Sequence, residues 1–254
     1  MADSKIKLGL IPLIIKDEVA ADLWGTIEKV AAIGYLGIEG GHLLKGDVKA
    51  NRERLEALRM QVAAVGVKKD DLSERLDEVA ERALALGSRY LVTYYNACDD
   101  LDQWKTDIAF YDGIGKRCRA HGLTFCYHNH DHEIRTIHGG KRALDVMLEE
   151  SDPEHLALEM DVAWVQFGGA DPIEFLRERA ERTPLLHLKD LEDLEERGRF
   201  TSIGTGLVDI EGVLETAVEV GVDWAIVEQD RPNNLTPMDS VRASYLNLKE
   251  WGWV

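Results

Sequence analysis

The chain alternates short apolar runs with longer segments whose apolar positions recur at helical spacing. Lys7–Leu13 is the first apolar run. Ala20–Ile33 behind it carries a helical pattern that stops at Gly34, a residue suited to the position just past a helix end. The same couplet then repeats. Apolar runs at Tyr35–Gly41, Gln61–Val67, Arg89–Tyr95, Leu123–His130, Leu156–Val162, Leu185–Leu188 and Trp224–Val227 read as strands. Between them, Asn51–Met60, Asp70 to Gly87, Asp100–Ala120, Lys141–Glu150, a segment opening at Asp171-Pro172, Asp209–Val220 and Thr236 to Trp251 read as helices. Asp171-Pro172 and Thr236-Pro237 each put a capping side chain before a proline at the first helical position.

The strands show little polar alternation, as strands covered on both faces should. Eight strand–helix units of about 32 residues fit one closed α/β architecture, a (β/α)8 TIM barrel spanning residues 1–254 as a single domain. An open doubly wound sheet would place a glycine fingerprint after the first strand, but Pro12-Leu13-Ile14-Ile15-Lys16 stands there.

Composition narrows the function classes. Thirty basic residues against 47 acidic ones give a formal net charge of -17, which speaks against a nucleic-acid surface. No run is long enough to span a membrane and the N-terminus carries no signal pattern. Three cysteines make no disulfide framework, so a cytoplasmic, reducing setting is expected. The apolar tail Trp251-Gly252-Trp253-Val254 is expected to pack on the barrel base or on a partner copy, so a homo-oligomer is a possible state.

A barrel of this kind builds its site at the carboxyl ends of its strands. Those positions carry carboxylates and imidazoles: Glu39 after strand two, His128 and His130 with Glu133 after strand five, Glu159 and Asp161 on strand six, His187 and Lys189 on strand seven, and Glu228 on strand eight. Burying them unpaired costs several kcal/mol each, and a divalent cation removes that cost. The oxygen-and-nitrogen donor set suits Mn²⁺, Mg²⁺, Co²⁺, Fe²⁺ or Zn²⁺ without choosing among them. Asp161, His187 and Glu228 are the ligands expected from three successive strands. The fourth is Glu133, His128 or His130. Val162-Ala163-Trp164-Val165 reads poorly as a helix start, so Asp161 is read as a ligand and not as a cap. Asp209 is read as a helix cap, and the acidic run Glu192–Glu196 as a solvated face.

Several segments carry a family resemblance. Tyr127-His128-Asn129-His130-Asp131-His132-Glu133 resembles the YHNHxxE signature of the sugar phosphate isomerase/epimerase family, the xylose-isomerase-like barrels. Glu159-Met160-Asp161 with Trp164 and the following Gly169-Ala170-Asp171-Pro172 resembles its ExDxxW…GxDP stretch. His187-Leu188-Lys189-Asp190, Val227-Glu228-Gln229-Asp230 and Gly204-Thr205-Gly206-Leu207-Val208-Asp209 resemble its HLKD, VEQD and GxGxxD segments. The resemblance implies one divalent metal held by acidic and His ligands, with Asp161, His187 and Glu228 among them. The family's strand-five ligand is usually a glutamate where this chain has His128, and its GEG loop reads Gly204-Thr205-Gly206 here.

The chemistry expected is proton abstraction next to the carbonyl of a small sugar or keto-sugar, with a metal-stabilised enediolate. His128, His130, Glu159 and Lys189 are the catalytic candidates; Glu133, Asp161, His187 and Glu228 the metal ligands; Glu39, Trp164 and Gln166 the substrate contacts. Return of the proton gives an isomerase or epimerase, the first reading. Loss of a β-oxygen gives a lyase or dehydratase, the alternative. An endonuclease-IV-like phosphodiesterase and a non-catalytic sugar-binding barrel are the remaining rivals.

Overall fold

The computed structural model describes residues 6–231 and 235–254. Eight parallel strands close into a barrel: β1 (Lys7–Leu10), β2 (Gly37–Glu39), β3 (Gln61–Gly66), β4 (Tyr90–Tyr94), β5 (Thr124–His128), β6 (Leu156–Asp161), β7 (Leu185–Leu188) and β8 (Trp224–Val227). Each pairs in parallel with its sequence neighbours, and β1 closes the ring on β8 with Lys7 opposite Trp224. This is the TIM barrel anticipated from the alternation.

Two apolar layers hold it together. Inside the barrel, Tyr90, Val92, Cys126, Ala157, Leu185, Trp224 and Ile226 form one cluster. Trp224 fits there because β2 passes it at a glycine: a Cβ on Gly37 would fall 2.7 Å from the Trp224 ring. A larger cluster fills the space between strands and outer helices, with Trp104, Tyr111, Phe125 and Tyr127 among its buried rings.

Six of the acidic residues start helices. Asp22, Asp47, Asp100, Asp161, Asp171 and Asp209 each accept backbone N–H groups at a helix N-terminus. Asp22 also corrects a boundary. The helix expected over Ala20–Ile33 is two helices, Lys16–Ala21 and Leu23–Ile33, because Asp22 adopts an extended backbone and caps the second through Gly25 N–H at 2.9 Å. The helix expected from Asp70 to Gly87 likewise breaks at Arg75 into Lys69–Glu74 and Leu76–Ala85.

The first strand stops at Leu10, short of Leu13, and the fifth stops at His128, short of His130. A helix over Asp131–Arg135 begins directly after the expected end of that strand. The tail packs on the chain itself. Trp251 lies against Gly204 in the loop after β7, so closely that a Cβ there would fall 2.4 Å from the ring. No helix among the described residues is long and apolar enough to cross a membrane.

Candidate active site

Alternate residues of a strand face the barrel axis, so the inward register set by Cys126, Ala157, Leu185 and Ile226 continues to His128, Glu159, His187 and Glu228 at the carboxyl ends. Cross-strand pairing brings them level: His128 lies opposite Glu159, and Asp161 opposite His187. The backbone ladder, rather than loop flexibility, therefore places the donors.

Two groups of side chains bring their ligand atoms within 4.8 Å of one another. One is His128, Asp161, His187 and Glu228; the other is Glu39, Glu159 and His187. His187 joins them: its Nδ1 lies 2.9 Å from Glu228, and its Nε2 lies 2.7 Å from Glu39 and 3.2 Å from Glu159. His128 Nδ1 stands 3.1 Å from Glu159. Lys189 Nζ lies 2.6 Å from Glu228 and 3.1 Å from both Asp161 and Asp230. All these side chains except Asp230 are buried.

Carboxylates outnumber cations in this enclosure, and the titration of each group follows. Burial, with the charge of Glu39, pushes Glu159 well above the usual carboxylate range. Burial carries Asp161 up to about 6 although Lys189 opposes it. His187 is held well above the usual imidazole value by Glu159, Glu39 and Glu228, which outweigh its burial. His128 goes the other way, pushed well below by burial and by the charge of His187. Lys189 and His187 keep Glu228 well below its usual value despite burial.

Seven buried side-chain atoms among the described residues lack a hydrogen-bond partner: Thr93 Oγ1, Asn129 Nδ2, His130 Nδ1, Glu159 Oε1, Asp161 Oδ2, Trp164 Nε1 and Gln229 Oε1. Each belongs to the carboxyl-terminal part of a strand or the residues just after one. Lys189 is near Asp161 Oδ2 but not aligned as a hydrogen-bond donor to it. Two orphaned carboxylate oxygens beside two imidazoles match the donor chemistry of a divalent cation.

Asp161 corrects the reading of its sequence context. The helix Val162–Phe167 does start there, and Asp161 is its cap: Oδ1 accepts from Trp164 N–H at 2.9 Å. The cap uses one oxygen and leaves Oδ2 facing His128 and Lys189. Glu133 is not brought into either group. One of its oxygens accepts from His130 N–H at 2.8 Å, and the other accepts from the Tyr127 hydroxyl at 2.6 Å. His130 sits off the strand, yet its ring is 4.9 Å from that of His128. Gln166 spends its amide on Leu207 C=O, in the loop after β7. Trp164 is buried between His130, Phe200, Lys189 and Arg197. Asp209 caps its helix through Gly212 N–H, as its context suggested.

Sequence reasoning gave Asp190 no role. The structure buries it completely, and it accepts from the backbone N–H groups of Leu191, Gly204, Gly206 and Val208. Gly206 passes so close that a Cβ would fall 2.3 Å from the Asp190 carboxylate. The paired glycines of that loop were the available signal. Asp190 folds the loop after β7 so that Phe200 lies 4.7 Å from Lys189 Nζ and 5.0 Å from the Trp164 ring.

Known proteins extend this picture. Residues 27–251 match the family model described as xylose isomerase-like TIM barrel. An inosose dehydratase of Geobacillus thermodenitrificans (strain NG80-2) is 23% identical, over 90% of this chain and 91% of its own length. A sugar phosphate isomerase/epimerase structure from Parabacteroides distasonis ATCC 8503 superposes with a TM-score of 0.84 at 21% identity, over 98% of this chain and 99% of that one. The structure of the IOLI protein with a binding zinc atom superposes with a TM-score of 0.77 at 16% identity, over 96% and 97%. With the closed barrel and a match over nearly its whole length, the chain belongs to the xylose isomerase-like TIM barrel family.

Proposed function

We propose that this chain is a metal-dependent dehydratase acting on a small polyhydroxylated ketone of the inosose or keto-sugar class. The observation that carries the reading is the buried set His128, Asp161, His187 and Glu228, with the unpaired Glu159 Oε1 beside it. The inosose dehydratase relative supports elimination over isomerisation.

In this reading His128, Asp161, His187 and Glu228 hold the cation, with His128 as the strand-five ligand. When bound, a divalent cation supplies Lewis-acid stabilisation of negative charge on a substrate oxygen. Glu159, whose Oε1 stands unpaired beside the donor set, takes the proton next to the carbonyl. That proton leaves with the β-hydroxyl as water. Lys189 faces the same space and balances the charge that develops. Trp164 and Phe200 wall off bulk water beside Lys189. Three free, buried cysteines suit a reducing, cytoplasmic setting.

The test is incubation of the full chain with inosose and a panel of keto-sugars in D2O, with each divalent metal in turn. Loss of one water by mass, with an enone or diketone product, is expected. No water loss and no deuterium exchange with any substrate overturns the reading, and so does full activity in Asp161→Ala.

A second reading, the isomerase or epimerase, rests on one feature. Glu39 and Glu159 approach His187 from β2 and β6, on opposite sides of the barrel. Two carboxylates so placed can remove a proton from one face and return it to another. Deuterium incorporation without water loss would select it.

A further inference from the structure

Two adjacent tyrosines stand exposed above this buried polar site. Tyr94 is 45% exposed and Tyr95 is 64% exposed. Tyr94 ends β4 on the inward register of Tyr90 and Val92, opposite His128. It flanks the same glycine, Gly66, as Glu39 and His42 do. In a regular strand the next side chain would turn to the outer helices. Tyr95 does not follow that rule, because its backbone is left-handed with φ 51°. Its ring instead lies 5.5 Å from that of His130, edge to face, and 5.0 Å from that of His132.

Among the described residues, Arg59 and Tyr95 are the two non-glycine residues with positive φ. Arg59 follows a helix end, where that conformation is common. Tyr95 sits at the mouth of the barrel, where it is strained for a bulky side chain. The next residue holds it there. Asn96 N–H donates to the Tyr127 hydroxyl at 3.2 Å, and Asn96 C=O accepts from His132 Nε2 at 2.9 Å. The Asn96 side chain donates to Asp107 at 2.5 Å and accepts from Lys69 Nζ at 3.2 Å. An anchored residue therefore fixes an unfavourable backbone whose visible result is an exposed aromatic ring over the site. The His130 ring that it meets carries an unpartnered Nδ1, and Trp164, whose ring is 5.7 Å from that of His130, carries an unpartnered Nε1.

We propose that Tyr94 and Tyr95 form the substrate-facing wall of the site, selecting a cyclic polyol ketone whose flat C–H face lies on the aromatic surface. This rests on the function proposed above and names its substrate class as a ring rather than an open chain. A six-membered ring with equatorial hydroxyls shows an apolar C–H face to an aromatic ring and hydroxyls at its edge. The edge hydroxyls meet His130 Nδ1 and Trp164 Nε1. Asn96 is a positioning residue, acting through the backbone of Tyr95.

The test uses the metal-loaded full chain. Binding of myo-inositol, a ring that lacks the carbonyl and does not react, is measured by titration calorimetry, and KM is measured for inosose. Tyr95→Gly removes the ring and relieves the left-handed backbone. It is expected to weaken both by about ten-fold while the thermal midpoint stays unchanged within about 2 °C. Tyr95→Phe keeps the aromatic face and is expected to retain native affinity. A residue serving stability alone would give the opposite split, a lower midpoint with unchanged KM, and that result overturns the proposal. So does native myo-inositol binding in Tyr95→Gly, or no myo-inositol binding by the native chain. If Tyr95→Gly loses myo-inositol binding but the native chain does not dehydrate inosose, the wall stands and the reaction falls. If the native chain dehydrates inosose with the same KM in Tyr95→Gly, the reaction stands and the wall falls.

Discussion

The Glu39 carboxylate lies 2.7 Å from His187 Nε2, although 148 positions separate them in the chain. One ends β2 and the other stands on β7, and the closed barrel brings both to its axis. Through this contact His187 joins the group that would hold a cation to the group that would move a proton. Substitutions at the site should therefore separate by what they remove.

Asp161→Ala and His187→Ala are expected to lose bound metal, measured by elemental analysis after dialysis, and to lose activity with it. Glu133→Ala is expected to keep native metal content. Its cost is stability, about 1–3 kcal/mol, because the Tyr127 hydroxyl and His130 N–H lose their acceptor inside the protein. Loss of metal in Glu133→Ala would return that residue to the ligand set.

Chelation is expected to lower the thermal midpoint, and re-addition of metal to restore it in a concentration-dependent way. A ligand present at about 100 times its Kd adds about 2.7 kcal/mol to the native state. The buried Glu39 and Glu228 carboxylates both oppose ionisation of Glu159, and a bound cation would offset that charge. An unchanged midpoint across metal concentrations would contradict a cation at this site.

Asp190→Ala should loosen the loop after β7, since several backbone donors lose one acceptor together. We expect about 2–4 kcal/mol of destabilisation and a lower kcat, with metal retained. Limited proteolysis within residues 192–207 checks the cause directly. Native resistance in the variant would show that the loop does not depend on Asp190.

At the opposite end of the barrel, Asp223 accepts from Lys7, Arg89 and the Tyr90 hydroxyl. Burial alone would raise its pKa, but Lys7, Tyr90 and Arg89 hold it below the usual value. A depressed carboxylate stabilises the fold above its unfolded-state pKa, and that contribution is lost as pH falls through the folded-state value. Asp223→Asn should therefore cost about 1 kcal/mol at neutral pH and almost nothing in strong acid. Thermal midpoints of both proteins across that range provide the measurement.

The barrel was legible because its signals are local. Period, turn glycines and aspartate or proline caps act within a few residues, and eight couplets without a fingerprint leave few architectures. The inward donors were legible for the same reason: once β5 to β8 are placed, alternation points His128, Glu159, His187 and Glu228 at one axis. Local signals failed where one residue serves two partners. Asp161 was read as a ligand and not as a cap, but one of its oxygens caps the helix and leaves the other free. Glu133 was one of three candidates for the strand-five ligand, and its bond to His130 N–H depends on where β5 stops.

By itself the sequence determined the fold class, the end of the barrel where buried carboxylates and imidazoles meet and most of the residues gathered there. Those follow from backbone periodicity, which short-range sterics and hydrogen bonding impose. Only the tertiary structure decided which oxygens are already used and which are orphaned, that Glu39 reaches His187, that Asp190 folds a loop and that Tyr95 turns back over the site. Each of these depends on distances between segments far apart in the chain, and barrel closure sets those distances.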